Sequence, residues 1–173
     1  MAWLARQHPE LHFVCPYLSS YPSAARETLL QTINALGDQP IYAIGSSLGG
    51  FWATYLVEQG LVSKAVLVNP AVAPHTRFPE FVGQPLASYY TDDVYTLSEK
   101  DLHDLIAFDT PNIQKPERYW LMVQTADETL DYRLAVEKYR QCRQLVEEGG
   151  SHTFDGYEKW LPEIVAFFLD KKA

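Results

Sequence analysis

The chain has 173 residues, a length that suits one packed domain. Its hydrophobic fraction of 47% is higher than that of disordered chains. Its net charge is −8 and its longest basic cluster is Lys171-Lys172, which disfavours nucleic acid and anionic membrane surfaces as partners. No segment reaches the ~18 apolar residues of a membrane span, so we expect a cytoplasmic protein.

The two cysteines, Cys15 and Cys142, lie far apart and outside any Cys-x-x-Cys or Cys/His spacing. Isolated cysteines of this kind predict neither a zinc site nor a disulfide framework. We therefore expect two buried thiols and no metal.

Short apolar runs alternate along the chain with longer segments of helical period, which is typical of a parallel sheet covered by helices. The pattern predicts an α/β fold. The predicted strands cover, in chain order, residues 12–15, 41–44, 65–68, 119–124 and roughly 141–146.

Helices are predicted between these strands and after the last one. The first has apolar residues at positions 25, 29, 33 and 36, after Pro22 and before Gly37. A second covers residues 50–59. The last, over 157–169, places on one stripe the apolar residues Trp160, Leu161, Ile164, Val165 and Phe168.

The pentapeptide Gly-Ser-Ser-Leu-Gly at 45–49 stands between a predicted strand and a predicted helix. This context is typical of a nucleophile elbow, in which a serine occupies a strained turn. Ser47, not Ser46, has glycine two positions before and after it, so Ser47 is the candidate nucleophile. We expect Gly45 and Gly49 to relieve steric clashes around the turn.

Residues 75–117 break the alternation of strands and helices, with prolines at 79, 85, 111 and 116, and predict a small cap inserted into the domain. The aromatic residues of the cap have two interpretations. They would line an apolar acyl pocket, or each would attach the cap to the sheet, and the second interpretation is favoured for any single residue. They are Phe78, Phe81, Tyr89, Tyr90 and Tyr95.

A serine nucleophile needs a base and an acid that orients the base. Three carboxylates follow the strand at 119–124, namely Asp127, Glu128 and Asp131. Asp127 is the aspartate nearest the strand end and is the candidate acid. Asp131 suits a helix N-cap, and Glu128 is a weaker rival for the acid.

His152 is the candidate base because it lies in a glycine-rich loop, Glu-Gly-Gly-Ser-His-Thr-Phe, after the last predicted strand. The order serine, acid, histidine is the one that this fold class requires. The other four histidines precede the nucleophile or belong to the cap. They are His8, His12, His75 and His103.

Four motifs, at residues 44–50, 68–72, 124–133 and 148–154, together resemble the YqiA/YcfP-like bacterial esterases of the α/β-hydrolase superfamily. The resemblance runs over nearly the whole chain. It implies one α/β-hydrolase domain over residues 1–173 and a carboxylic ester hydrolase. It also implies that Ser47, Asp127 and His152 form the catalytic triad, with no cofactor.

Members of that family begin with a short strand and a His-Gly-Phe-type loop, and neither precedes residues 1–5 here. We therefore expect a chain truncated at its front. An oxyanion hole needs two backbone donors: one is the N–H of Leu48, and the first loop would normally supply the other. The hypothesis is a weakened esterase, or an inactive fragment whose start lies upstream.

The leading functional hypothesis is hydrolysis of a small acyl ester or thioester through an acyl-Ser47 intermediate. Amide hydrolysis or acyl transfer to an alcohol would use the same triad. A non-catalytic binding protein that keeps the pocket is the alternative from another class, since this scaffold hosts many functions.

Overall fold

A computed structural model describes residues 2–88 and 94–170. Its α-helices are α1 (Ala2–Gln7), α2 (Pro22–Leu36), α3 (Leu48–Glu58), α4 (Glu99–Ala107), α5 (Tyr132–Lys138) and α6 (Leu161–Phe168). Its strands are β1 (Tyr42–Ser46), β2 (Lys64–Val68), β3 (Pro85–Ala87), β4 (Val94–Thr96), β5 (Tyr119–Gln124) and β6 (Arg143–Glu147). No helix in these two ranges is both long and apolar enough to cross a membrane.

Four of the strands form one parallel sheet in the order β1-β2-β5-β6. The α/β prediction is confirmed, and these four strands lie within two residues of their predicted ends. Because all four run in one direction, their carboxyl ends meet at one edge of the sheet, where ligands bind in open α/β sheets. The candidate nucleophile, acid and base follow β1, β5 and β6 at that edge.

The predicted strand at 12–15 is wrong. The chain there has no strand ladder, Val14 is 44% exposed and His12 is exposed. A strand exists only through its pairing, and among the described strands β1 pairs with β2 alone. The prediction of two buried thiols is wrong as well, since Cys15 in this segment is exposed and Cys142 is half-buried.

The sheet buries a different set of side chains on each face because successive strand residues point to opposite sides. Leu121 and Val123 of β5 pack in a cluster with residues of α2, α3 and α5, whereas Trp120 and Met122 pack in a second cluster with α6. The first predicted amphipathic helix is confirmed as α2, with Gly37 as its C-cap. The last is shorter than predicted: residues 157–160 form a 3-10 turn, and α6 begins at Leu161.

The segment between β2 and β5, predicted as a cap, contains 3-10 turns, the antiparallel pair β3–β4 and helix α4. Ser98 and Asp101 form a capping box that fixes the start of α4. Phe78 packs on the first core cluster, which is the attaching role favoured for one aromatic. The predicted cap residues Tyr89 and Tyr90 lie outside the described residues.

Candidate active site

Ser47 lies at the tight turn between β1 and α3, in a backbone conformation that L-residues rarely adopt. Its φ is 53° and its ψ is −123°. The turn is fixed by hydrogen bonds: the Ser47 N–H donates to the carbonyl of Val68, at 3.1 Å, and the Ser47 carbonyl accepts from Gly50, at 2.9 Å. Strain of this kind needs support from the surrounding structure and is concentrated at functional sites.

Close packing at the turn requires two glycines, Gly45 and Gly50, of which the motif predicted only Gly45. A Cβ on Gly45 would collide with the carbonyl oxygen of Gly49. A Cβ on Gly50 would lie 2.9 Å from the Cα of Pro70. Gly49 itself has open space where a Cβ would stand, so the predicted steric need for glycine is wrong at that position.

The three residues predicted from their positions meet at the carboxyl edge of the sheet. His152 Nε2 lies 3.0 Å from Ser47 Oγ. The other ring nitrogen, Nδ1, lies 3.0 Å and 2.9 Å from the two carboxylate oxygens of Asp127. A proton on Nδ1 donates to the carboxylate, which leaves the Nε2 lone pair to accept from the serine hydroxyl.

Asp127 is held as a buried acceptor. Its side chain is 1% exposed. Besides His152, its Oδ1 accepts from the backbone N–H groups of Thr129, at 2.8 Å, and Leu130, at 2.9 Å. Hydrogen bonds to an ionised carboxylate are stronger than neutral ones, so these donors stabilise the charge and fix its direction.

The other two carboxylates of this loop, Glu128 and Asp131, make hydrogen bonds outside the Ser47–His152–Asp127 line. Glu128 accepts from the backbone N–H of His152, at 2.9 Å, and not from the imidazole. Asp131 is the N-cap of α5, as its sequence position predicts. The side chain of Arg133 donates to it, which lowers the pKa of Asp131 below its usual value.

Leu48 is the first residue of α3, directly after Ser47. Helix geometry leaves the first amides of a helix without an intrahelical acceptor. The amide of Leu48 also lies at the positive end of the α3 dipole, which favours negative charge. The N–H that follows the serine is thus suited to donate a hydrogen bond to a negatively charged oxygen.

Of the other histidines, His75 Nδ1 lies 3.9 Å from Asp109 Oδ2 and His8 Nδ1 lies 3.2 Å from Glu10 Oε1, so their nearest carboxylates are not those of the triad candidates. Residues 2–88 and 94–170 contain no group of three or more His, Cys, Asp or Glu side chains placed to hold a metal ion. Two polar residues beside the site, Asn69 and Gln124, belong to the motifs at 68–72 and 124–133 and both contact the His152 loop. Their residue types alone indicate no role in the site.

The family model of UPF0227, described as an uncharacterised protein family, matches residues 1–169. The chain belongs to this family. The match confirms the resemblance to the YqiA/YcfP-like proteins that the four motifs indicated.

Solved structures with the same fold come from several organisms. A proposed hydrolase from Agrobacterium vitis S4 is 17% identical, with a TM-score of 0.66 over 86% of this chain and 69% of its own. The α/β hydrolase domain-containing protein 10 from mouse is 13% identical, with a TM-score of 0.62 over 88% and 71%. A monoacylglycerol lipase from Paleococcus ferrophilus is 16% identical, with a TM-score of 0.60 over 90% and 77%. The fold is that of the α/β-hydrolases.

Proposed function

We propose that the chain is a serine esterase that hydrolyses carboxylic esters or thioesters through an acyl-Ser47 intermediate. The observation that carries the proposal is the continuous line of hydrogen bonds from Ser47 Oγ through the His152 ring to Asp127. A serine on a strained turn, in contact with a base that a buried acid orients, is the arrangement of an activated nucleophile.

In the acylation step, Ser47 Oγ attacks the ester carbonyl carbon while His152 Nε2 takes the hydroxyl proton across the 3.0 Å hydrogen bond. The carbonyl oxygen becomes negative and accepts from the Leu48 N–H. One such donor is worth about 3 kcal/mol of transition-state stabilisation. His152 then gives its proton to the leaving alcohol or thiol, the carbon–oxygen or carbon–sulfur bond breaks, and the acyl group stays on Ser47.

In the deacylation step, His152 Nε2 takes a proton from a water molecule, and the resulting hydroxide attacks the acyl carbon. The proton returns to Ser47 Oγ as the acid is released. Asp127 stays ionised throughout and stabilises the imidazolium that forms twice in each cycle.

The comparisons support the choice of ester chemistry, since one neighbour of the same fold is a monoacylglycerol lipase. Fold alone does not select a reaction, so the proposal depends on the site geometry first. A small acyl ester or thioester as substrate, and a location in the cytoplasm, belong to the same proposal.

Hydrolysis of p-nitrophenyl butyrate tests the proposal. We expect the wild-type chain to release p-nitrophenol and Ser47→Ala to lose at least about 10⁴-fold in kcat, because the nucleophile is removed. Ser46→Ala is the matched control, since Ser46 is exposed and adjacent and should keep its rate within about threefold. Equal rates for the two variants would refute the proposed role of Ser47.

A further inference from the structure

Asn69 follows β2 directly and lies between the nucleophile turn and the His152 loop. Its side chain is in the protein interior, with only 2% of the residue exposed. Its backbone has a φ of 40°, in the left-handed region that asparagine tolerates better than most residues. Burial of a polar amide is unfavourable unless all its groups are hydrogen-bonded.

Every polar group of the Asn69 side chain has a partner. Nδ2 donates to the carbonyl oxygens of Ser151, at 3.0 Å, and His152, at 2.9 Å. Oδ1 accepts from the backbone N–H of Gln124, at 3.0 Å. These partners fix the orientation of the amide, because a flipped group would bring Oδ1 against two carbonyl oxygens and Nδ2 against an N–H.

The two accepting carbonyls lie on either side of the His152 Cα, so Asn69 fixes the backbone from which the imidazole projects. Glu128 accepts from the His152 N–H as well, at 2.9 Å. With the backbone fixed on both sides, side-chain rotation is the main freedom left to the ring. Asp127 and Ser47 then determine that rotation by binding one ring nitrogen each.

Gln124 holds the same loop from β5. Its Oε1 accepts from the backbone N–H groups of Ser151, at 3.1 Å, and Asp155, at 2.8 Å. A Cβ on Gly150, which has a φ of +76°, would collide with the Gln124 side chain. The loop is therefore packed against Gln124 of β5 and hydrogen-bonded both to it and to Asn69, the residue after β2.

The turn that contains Asn69 also holds the nucleophile. Val68 accepts from the Ser47 N–H, at 3.1 Å, and Ala71 donates to the Ser47 carbonyl, at 2.9 Å. Residues 68–71 thus bind the Ser47 backbone on one side and, through the Asn69 side chain, the His152 backbone on the other. A shift of this turn would move the two reacting groups relative to each other.

We infer that Asn69 is a positioning residue whose side-chain amide sets the distance and direction between His152 Nε2 and Ser47 Oγ. The inference rests on the proposed esterase function for its kinetic consequence. Its structural part, the orientation of the His152 ring, is measurable without turnover. Asn69 itself touches neither reacting atom.

Two substitutions remove the interaction in different ways. Asn69→Asp keeps the shape but places a carboxylate oxygen against the carbonyl oxygens of Ser151 and His152, which repels the loop. Asn69→Gly removes the side chain, tolerates the left-handed backbone and keeps the test available if the added charge unfolds the chain. Tyr139→Phe is the control, because it deletes a buried hydrogen bond to Thr54, of 2.7 Å, that does not involve the loop.

The kinetic readout is kcat and KM for p-nitrophenyl butyrate, measured well below each variant's melting temperature. Misplacement of a reacting group by about 1 Å lowers rates by about 100-fold, so we expect kcat to fall by about 30- to 100-fold in both Asn69 variants. KM should change by less than about threefold, since ground-state binding of the ester is not altered. Tyr139→Phe should keep its kcat within about threefold. Wild-type kcat in both folded Asn69 variants, or an equal loss in Tyr139→Phe, would overturn the inference.

The second readout is the far-downfield proton NMR signal of the His152 Nδ1–H bonded to Asp127. We expect this signal in the wild type and in Tyr139→Phe, and its loss or displacement in both Asn69 variants. This readout separates the two claims. If no chain hydrolyses the ester but the signal responds to Asn69 as expected, the esterase proposal fails and the positioning role stands. A signal that stays unchanged in both Asn69 variants would overturn the inference whatever the activity.

Discussion

The inner strand β5 and the edge strand β1 differ in how fully they are covered, and both lead into the site. All six residues of β5 are buried, and the loop after it carries Asp127, whose side chain is 1% exposed. At the edge, Ile44 of β1 is 45% exposed and Leu48, directly after Ser47, is 44% exposed. The candidate acid thus follows a densely packed strand, whereas Ser47 depends on its own tight turn.

The comparison shows what holds His152 and Ser47 in place. The buried side chains of Asn69 and Gln124 bind the backbone of the His152 loop, and removing either one leaves its partners unpaired. At the end of β1, Gly45 and Gly50 let the backbone pack closely enough for the strained turn at Ser47 to form. Substitutions in β5 or its loop, and substitutions in the Ser47 turn, therefore test the two kinds of support separately.

The largest expected effect is at Asp127, the proposed acid. Asp127→Asn should lower kcat by about 10⁴-fold, because a neutral amide neither fixes the imidazole tautomer nor stabilises the imidazolium. Asp131→Asn is the matched control: the asparagine still caps α5, and Asp131 contacts no member of the triad. Steady-state kinetics on both variants measure the difference. A similar fall in the two would remove Asp127 from the mechanism.

The next effect is on stability. Leu121 is fully buried in β5, so Leu121→Ala should lower the free energy of unfolding by about 2–5 kcal/mol. Val14→Ala, in the unpaired segment, should change it by less than about 0.5 kcal/mol, because Val14 is 44% exposed. Urea unfolding of both variants measures the contrast. Equal losses would mean that Val14 is packed as densely as Leu121.

The nucleophile turn gives a contrast between two neighbouring glycines. Gly45→Ala should lower stability by about 1–3 kcal/mol and reduce activity, because the new methyl group meets the backbone at Gly49. Gly49→Ala should be tolerated, since nothing lies within 4 Å of the added Cβ, and alanine suits a helix better than glycine. Melting temperature and ester hydrolysis would show whether the two substitutions rank in this order.

The smallest effect concerns the two thiols. Burial raises the pKa of Cys142 to about 11, so at pH 8 about a thousandth of it is thiolate, the reactive form. Cys15 is exposed in the unpaired segment. Iodoacetamide should therefore modify Cys15 at least about tenfold faster, as followed by peptide mass spectrometry. Faster modification of Cys142 would contradict the burial described for it.

The sequence predicts the parts of this fold that are determined locally. The strand at 119–124 is apolar at nearly every position because both its faces are buried, and α2 has its stop signal in Gly37. The positions of Ser47, Asp127 and His152 follow from the order of strands, since each lies within five residues of a strand end at one edge of the sheet. Their side chains lie at hydrogen-bond distance from one another.

Features that depend on contacts between residues far apart in the sequence are not predictable from local patterns. The apolar run at 12–15 has the composition of a strand, but pairing depends on a partner that the run itself does not specify. The glycine motif does not show that Gly50, rather than Gly49, packs against Pro70. From its sequence neighbours alone Asn69 is predicted to be a turn residue. Its hydrogen bond to the His152 loop depends on Ser151, 82 positions later in the chain.

The central claim is that His152 and Asp127 activate Ser47. The most direct test is treatment of the folded chain with a fluorophosphonate, followed by peptide mapping of the adduct and by the labelling rate of His152→Ala. The account predicts an adduct on Ser47, not Ser46, that forms at least about 1000-fold more slowly when His152 is replaced. An adduct elsewhere, or labelling of Ser47 that does not depend on His152, would contradict it.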